Sequence, residues 1–342
     1  MRIQKGTSFF LWLAMLVSPV LFAFVFYSTF PLPAAAVFSG FWGTDDQRLL
    51  FVGDIMLARD VERHMSVYSP EYPFFGVRDL LKDNLVVANF EAAVPVSHEP
   101  TPAFSFAFSV DSQYLTALKK AGVDVVSLAN NHSFDFGVAG FENAESKLGE
   151  VGIRSFGNQR SLGTEYIEYL AISGQTIALI GINLVNEDWS KREVEELFRE
   201  ASSYSDKQVV FVHWGEEYEV VHNSKQERYA VWFIESGADL VVGHHPHVIQ
   251  DIAIYSGVPV FYSLGNFIFD QYFSDEVEEG LAIAVQLVGN DMSIELIPVT
   301  TAETHTQPQI MTRKEQEIFL EKLAERSDPT LSKMILRGIL HI

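Results

Sequence analysis

Short apolar runs, each followed by small polar residues, recur from residue 48 onward. The first run covers residues 49–52 and ends at Asp54. Apolar runs of this length are typical of buried strands. Further runs of the same form lie at residues 85–88, 123–128, 209–212, 240–242 and 258–262. The pattern therefore predicts a series of buried strands, each ending at a polar group.

The periodicity between these runs is typical of other elements. Helices are predicted at residues 112–122, 139–149 and 225–237, and each of these segments ends at a glycine. Residues 167–184 and 281–299 are predicted as hairpins because each has a turn signal in its middle. The last thirty residues indicate an amphipathic helix followed by a weakly specified tail. Strands that alternate with helices predict βαβ units and a layered α/β fold.

The N-terminal segment has a different pattern. Arg2 and Lys5 precede a stretch without charge from residue 6 to residue 44. Its most apolar part, Phe9–Tyr27, is long enough to cross a hydrocarbon core of about 30 Å as a helix. The positive N-terminus predicts that the rest of the chain lies outside the cell. Cleavage after residues 34–36, which are all alanine, is the alternative, and it also exports the main domain.

These boundaries divide the chain into four parts. A transmembrane signal-anchor helix is predicted at residues 1–30, and a linker rich in Pro, Ala and Gly at residues 31–47. The main α/β domain is predicted at residues 48–300, followed by a helical tail at residues 301–342. A chain of this length, with 48% hydrophobic residues, can bury a core of the size that one large domain needs.

Composition and charge exclude several classes of function. The net charge is -21, which argues against nucleic acid as a partner, because phosphate contacts need Lys and Arg. A polyanion would also be repelled unless a local basic patch or bound cations offset the charge. The absence of cysteine excludes disulfides, thiolate catalysis and zinc sites of the cysteine type.

The polar groups at the predicted strand ends are the candidate chemistry. Ligands of α/β sheets bind beyond the carboxyl ends of the strands, and we expect these groups to meet at one sheet. They are two carboxylates, an amide and four imidazoles, namely Asp54, Glu91, Asn131, His132, His213, His245 and His247. Such mixed ligands without thiolate suit Mn, Fe, Zn or Co. Two ions about 3.5–4 Å apart can activate a water and neutralise a phosphoryl group.

One of these clusters has a spacing that favours chelation. Pro246 separates His245 from His247. A residue before proline is restricted to extended conformations, so His245 is predicted to be extended. We expect the turn to be rigid and to aim both imidazoles at the same site.

The motif order resembles the five-motif pattern of calcineurin-like metallophosphoesterases. Those motifs are Gly53-Asp54, Asn89-Phe90-Glu91, Asn130-Asn131-His132, His213 and His245-Pro246-His247. The sequence around each motif is more similar to the CapA family of poly-γ-glutamate capsule synthesis proteins. That likeness lies in Phe51–Met56 with Arg59, Ser127–His132 with Asp135 and Gly137, His213–Tyr218, Gly243–Val248 and Ser263–Gln271. The resemblance extends over residues 48–300.

The resemblance implies a four-layer α/β/β/α sandwich that binds one or two divalent ions. It assigns the metal ligands as Asp54 for the first ion, Glu91 between the two, Asn131 and His213 for the second, and His245 and His247 divided between them. His132 would protonate a leaving group, with Asp135 as its orienting partner. Arg59 would contact an anionic substrate group, and Glu217 and Asn266 would line the site.

Two residues depart from the wider phosphoesterase pattern. Met56 occupies the place of a histidine two residues after the first aspartate, and Glu91 replaces an aspartate at the bridging position. CapA relatives share both features. The first metal site therefore loses a nitrogen ligand, and the resemblance does not imply ordinary phosphoesterase turnover.

The resemblance implies a part in making, exporting or anchoring poly-γ-glutamate beside a membrane synthetase complex. The expected location is the cell membrane, with one membrane-spanning helix and the main domain outside. One alternative is an independent metal-dependent hydrolase that acts on a phosphoester. Another is a non-catalytic module that uses bound metal to hold a polyanionic polymer, since cations would offset the negative charge.

Overall fold

The computed structural model describes residues 48–342. The predicted transmembrane helix at residues 1–30 and the linker at residues 31–47 lie outside this range. Within the range, none of the helices combines the length and apolar character that crossing a bilayer requires.

Two sheets and a set of outer helices make up the described part of the chain. The strands, in chain order, are β1 (Leu49–Ile55), β2 (Leu85–Phe90), β3 (Val123–Ser127), β4 (Arg154–Phe156), β5 (Glu168–Ile172), β6 (Gln175–Asn183), β7 (Lys207–His213), β8 (Leu240–His244), β9 (Ile252–Tyr255), β10 (Val258–Phe261), β11 (Asn266–Ile268), β12 (Glu279–Val288), β13 (Asp291–Thr300), β14 (Gln309–Ile310) and β15 (Ile339–His341). The α-helices are α1 (Arg59–Val67), α2 (Arg78–Lys82), α3 (Leu115–Ala121), α4 (Gly137–Glu150), α5 (Lys191–Ser202), α6 (Ser224–Ser236), α7 (Asp275–Glu278), α8 (Arg313–Arg326) and α9 (Ser332–Ile335). Short 3₁₀ segments lie at Tyr72–Phe74, Ser112–Tyr114 and Thr164–Tyr166.

The first sheet has the strand order β14-β13-β12-β1-β2-β3-β4, with β11 paired to β1 and β15 paired to β13. Strands β1 to β4 are parallel, as the βαβ pattern predicts. The antiparallel pair β12–β13 confirms the hairpin predicted at residues 281–299. This sheet brings the ends of β1, β2 and β3 to one edge.

The second sheet has the order β5-β6-β7-β8-β10-β9. Its central strands β6, β7, β8 and β10 are parallel. The antiparallel pair β5–β6 confirms the hairpin predicted at residues 167–184. The polar ends of β7 and β8 therefore lie at one edge of this sheet.

The prediction that all the polar strand ends belong to one sheet is wrong. The ends of β1, β2 and β3 belong to the first sheet, and those of β7, β8 and β10 to the second. The hairpin β5–β6 begins a new sheet, which a pattern of local apolar runs does not reveal. The two edges nevertheless meet, because Nε2 of His213 lies 2.7 Å from Oδ1 of Asn131.

The sheets pack face to face, and helices cover their outer sides. Leu49 and Phe51 of β1 point into the core between the sheets, whereas Leu50 and Val52 point into the core shared with α1, α3 and α4. Phe51 meets Phe211 of the second sheet with ring centroids 6.0 Å apart. Helices α5 and α6 pack on the far side of the second sheet. The predicted mixed α/β sandwich with two sheets is confirmed.

Residues after 300 pack into the domain. Helix α8 buries Phe319, Leu320 and Leu323 in the core that the two sheets share. Strand β15 pairs with β13, so the end of the chain is held by main-chain hydrogen bonds. The sequence pattern predicts the helix, whereas it does not predict this strand.

Candidate metal centre

Adjacent strands place two buried carboxylates side by side. Asp54 of β1 lies in register with Asn89 of β2, and Glu91 follows two residues later. Nδ2 of Asn89 donates to Oδ1 of Asp54 at 2.8 Å and to Oε2 of Glu91 at 3.2 Å. Both carboxylates are completely buried. One amide therefore holds the two anionic groups at fixed positions at the sheet edge.

Glycines before two of the site residues permit close approach of the backbone. A Cβ atom at Gly53 would lie 2.0 Å from the carbonyl oxygen of Gly265, and one at Gly243 would lie 2.0 Å from that of Tyr262. Contacts this short are impossible for a side chain, so only glycine fits. These contacts hold Asp54 close to the segment before β11 and His244 close to the segment after β10.

The end of β8 and the turn that follows it supply three imidazoles of the site. His244 ends the strand, and His245 and His247 have positive φ angles of 97° and 58°. The extended conformation predicted for His245 is therefore wrong. Tertiary contacts override the local preference, because the Pro246 carbonyl accepts a 2.8 Å hydrogen bond from the Tyr218 amide. Strained backbone of this kind persists where the surroundings fix it, and it is concentrated at functional sites.

Glu91 lies at the centre of the imidazoles. Its Oε1 atom is 3.7 Å from Nε2 of His247, 4.0 Å from Nε2 of His213 and 3.8 Å from Nε2 of His132. Ligand atoms of Glu91, His245 and His247 lie within 4.8 Å of one another, and so do those of Asp54, Glu91 and His213. Glu91 belongs to both groups, which is the arrangement that a shared ligand requires.

His132 faces this carboxylate while a second carboxylate holds its other nitrogen. Nδ1 of His132 lies 2.8 Å from Oδ2 of Asp135. The same oxygen accepts a 2.7 Å hydrogen bond from the amide of Phe108. The Phe108 ring packs against the imidazole with centroids 4.1 Å apart. The imidazole is therefore fixed in orientation, with Nε2 directed toward Glu91.

Charge and burial shift the pKa values of the central groups. Burial raises the pKa of Asp54, but hydrogen bonds from His244 and His247 outweigh it, and the pKa lies well below its usual range. Burial and the charge of Asp54 raise the pKa of Glu91 well above its usual range. Burial lowers the pKa of His245 to about 3. Burial also lowers the pKa of His247, but the charge of Glu91 and the contact with Asp54 outweigh it and raise this pKa to about 9. A positive charge is thus favoured on His247, whose two ring nitrogens lie near Asp54 and Glu91.

The donor atoms that remain unpaired fit a divalent cation. Oε1 of Glu91, Nδ1 of His245 and Nε2 of His244 are buried without a hydrogen-bond partner. Buried polar atoms without partners are costly and rare in proteins. Oxygen and imidazole nitrogen are ligands that Mn, Fe, Zn and Co accept. These buried His, Asp and Glu side chains could hold a metal ion.

The residues predicted to contact substrate have different surroundings. The guanidinium of Arg59 forms a forked ion pair with Asp270, and the two side chains are only 10% and 5% exposed. Oδ1 of Asn266 lies 3.0 Å from Nδ1 of His247, so Asn266 holds a ligand in place. Glu217 is exposed, and its charge raises the pKa of both Glu91 and His247. Of these three residues, only Glu217 is exposed to solvent.

Sequence reasoning assigned no role to several residues that support the site. His244 is buried with Nδ1 3.1 Å from Oδ1 of Asp54. Asn130 donates to Oδ1 of Asn89 at 3.1 Å and accepts from the amide of His132 at 3.1 Å. The available signal was the period of two along β2, which puts Asn89 on the same face as Glu91. His244 and Asp54 each lie one glycine beyond an apolar run.

Comparison with known proteins identifies the family. Residues 48–271 match the family described as Bacterial capsule synthesis protein PGA_cap. The chain belongs to this family. The family relationship predicted from the motifs is thereby confirmed.

Relatives of this capsule synthesis family extend over most of the chain. It is 30% identical over 285 residues to Capsule biosynthesis protein CapA of Bacillus anthracis, covering 76% of this chain and 69% of that protein. It is 29% identical over 331 residues to PGA biosynthesis protein CapA of Bacillus subtilis, covering 92% and 86%. A Probable polyglutamine synthesis accessory protein of Mycobacterium tuberculosis is 24% identical, covering 66% and 68%.

Proposed function

We propose that this chain is a membrane-anchored, extracytoplasmic component of poly-γ-glutamate capsule biosynthesis. It would take part in making, exporting or anchoring the polymer beside a membrane synthetase complex. Family membership is the main support, since relatives named for capsule or PGA biosynthesis align with most of this chain. The uncharged stretch from residue 6 to residue 44 supports anchoring in the membrane.

The metal centre would be the functional site of the exported domain. The single observation that supports it best is the position of Glu91, which belongs to both candidate ligand groups. One ion, or two sharing Glu91, would bind there, and Mn, Fe, Zn or Co would suit the ligands. When bound, the ions would neutralise an anionic group and activate a water. The -21 net charge repels a polyanionic polymer on average, and bound cations would offset that repulsion locally.

Metal-dependent phosphoester hydrolysis is a second candidate function. The pair His132–Asp135 favours it, because Asp135 fixes the imidazole and leaves Nε2 directed into the centre. Once its Nε2 carries a proton, an imidazole held in this way can donate that proton to a leaving group. Met56 lies where the wider phosphoesterase pattern has a histidine, so this function does not follow from the fold alone. Without catalysis, the same centre would act as a metal-assisted binding site for the polymer.

Capsule formation in the producing organism tests the proposal. The chromosomal gene is replaced by the His245→Ala form, and cell-bound poly-γ-glutamate is measured by immunoassay. His341→Ala is the matched control, because His341 is exposed on β15. We expect loss of capsule with His245→Ala and normal capsule with His341→Ala, at equal protein levels. A normal capsule in both strains would show that the metal centre has no part in the pathway.

A further inference from the structure

An uncharged loop with two exposed phenylalanines lies beside the metal centre. No charged residue occurs from Pro100 to Val110. Within this loop Phe104 is 94% exposed and Phe106 is 84% exposed. Isolated exposed aromatic rings are common, whereas two in one uncharged loop form an apolar patch of the kind that marks an interaction surface.

The loop is attached to the site through the residues next to these rings. The carbonyl of Ser105 accepts a hydrogen bond from Nη1 of Arg59 at 3.4 Å. Phe108 packs on His132, and its amide donates to Asp135 at 2.7 Å. Because the loop is held on its inner side, its two exposed rings lie at a defined place beside the centre. We call the rim formed by this loop, Phe136, Tyr218 and Phe273 the mouth of the centre.

Exposed phenylalanines are concentrated around this mouth. Among residues 48–342, the exposed phenylalanines are Phe75, Phe104, Phe106, Phe136 and Phe273. Phe136 directly follows Asp135, and Phe273 packs edge-on to Tyr218 with centroids 5.0 Å apart. Tyr218 in turn lies 6.3 Å from the ring of His247. Phe75 is therefore the exception, and the apolar surface belongs to the site.

The lipid bilayer is the occupant that fits this surface, provided that the proposed N-terminal anchor holds the domain beside a membrane. Arg48 precedes β1 and Asp54 lies near its other end, so the chain enters at the end opposite the metal centre. A linker of residues 31–47 spans at most about 56–61 Å when extended, whereas β1 is about 23 Å long. The linker is thus long enough to let the metal centre face the membrane.

The composition of the loop indicates how contact would be made. A chain with a net charge of -21 is repelled by anionic lipid headgroups, so charge does not attract it. Aromatic side chains bind at the interface between headgroups and acyl chains without any charge. The anchor holds the loop close to the bilayer, which raises the effective concentration of the two rings at the membrane surface. Two rings are therefore enough to hold the loop there.

We propose that Phe104 and Phe106 insert into the outer surface of the membrane that holds the anchor. This inference rests on the membrane anchoring in the proposed function. Insertion would turn the centre toward the bilayer, so that its substrate is a group presented at the membrane surface.

The absence of cysteine allows a direct test with the full-length chain. Single cysteines are introduced as Ala103→Cys in the loop and as Val288→Cys in the control. Val288 is 58% exposed, and its strand runs antiparallel to β1, so it lies at the end of the sheet opposite the centre. Each variant is labelled with an environment-sensitive fluorophore and reconstituted into phosphatidylcholine–phosphatidylglycerol vesicles, with and without a nitroxide-labelled lipid. Metal content equal to that of the unmodified protein shows that each variant is folded.

We expect a blue shift and quenching by nitroxide lipid at position 103, and neither effect at position 288. In the Phe104→Ser/Phe106→Ser background, both effects at position 103 should be lost while the protein still floats with vesicles. A label that stays in water on floating protein would overturn the docking and leave the anchor intact. A blue shift without quenching by lipid would indicate a protein contact and would also overturn it. Failure to float with vesicles would refute the anchor, and the docking with it.

Discussion

His132 and Asp135 form a 2.8 Å hydrogen bond between Nδ1 and Oδ2. A carboxylate accepts hydrogen bonds and does not donate them, so it selects the form of the imidazole that has hydrogen on Nδ1. Nε2 is then the nitrogen that faces Glu91, at 3.8 Å from Oε1. His132 therefore presents one fixed nitrogen to the centre, while Asp135 contacts only the opposite side of the ring.

If the centre hydrolyses phosphoesters, removing His132 should affect turnover without affecting metal content. We expect His132→Ala to lower turnover of a chromogenic phosphodiester by about 10²–10⁴-fold, the usual contribution of a general acid or base. Asp135→Asn should have a smaller effect, because the imidazole remains but its orientation is less well defined. Steady-state kinetics of the metal-loaded proteins measure both. If the unmodified protein shows no turnover with any of the four metals, the hydrolase candidate is wrong.

Glu91 should control metal binding at the whole centre, because it belongs to both candidate ligand groups. We expect Glu91→Gln to remove most bound metal from the purified protein. Asn131→Ala should remove less, since Asn131 contacts His213 and not the shared carboxylate. Elemental analysis by mass spectrometry measures the metal content per chain, with His341→Ala as the control. Equal metal content in Glu91→Gln and the control would show that Glu91 is not a ligand.

Metal should also stabilise the fold. A ligand that binds only the native state at a hundred times its dissociation constant adds about 2.7 kcal/mol to the free energy of unfolding. Chelation should therefore lower the melting temperature of the unmodified protein, and added metal should restore it. The same treatment should leave Glu91→Gln unchanged. Calorimetry with and without chelator decides this, and a chelator effect of equal size in both proteins would contradict it.

Gly243 should tolerate no side chain. A Cβ atom there would meet the Tyr262 carbonyl oxygen at 2.0 Å, directly before His244. Overpacking of this kind costs about 1–3 kcal/mol, and here it should also reduce metal affinity. Gly149→Ala is the matched control, since a Cβ atom at this helical position meets nothing within 4 Å. We expect Gly149→Ala to be neutral or stabilising in urea denaturation, and a neutral Gly243→Ala would refute the close packing.

The sequence predicts those features of the fold that depend on neighbouring residues. Apolar runs that end at Asp54, Glu91 or His213 are local patterns, and the strands lie where the patterns predict them. The assignment of these strands to two sheets depends on pairing between distant segments, such as β1 with β12. Local periodicity contains no information about that pairing, and for this reason the single sheet was a wrong prediction.

The same distinction applies to the site. The types of residue near the centre were predictable, because mixed carboxylates and imidazoles have a common chemistry. The backbone of His245 was not, since its positive φ depends on a contact between Pro246 and Tyr218, which is remote in sequence. The partner of Arg59 was equally unpredictable, because Asp270 lies more than two hundred residues away.

The ion pair of Arg59 with Asp270 should stabilise the fold rather than bind substrate. Arg59 has a positive φ of 51° at the start of α1, and its guanidinium also lies 4.7 Å from the centroid of the Phe108 ring. Oδ2 of Asp270 accepts a further hydrogen bond from the amide of Asp60 at 3.1 Å. The pair thus joins α1, the loop beside the centre and the segment after β11.

Replacing one partner should therefore cost more than replacing both. Arg59→Leu leaves a nearly buried carboxylate without its counter-ion, and we expect a loss of about 3 kcal/mol in the free energy of unfolding. The double variant Arg59→Leu/Asp270→Asn should recover part of this loss, because the remaining amide oxygen still accepts from Asp60. Arg313→Leu is the control, since Arg313 is 94% exposed and its pair with Glu317 should contribute about 0–1 kcal/mol. Urea denaturation measures all three variants. If Arg59→Leu were no more destabilising than Arg313→Leu, the guanidinium would be free to contact an anionic substrate, as the sequence resemblance implies.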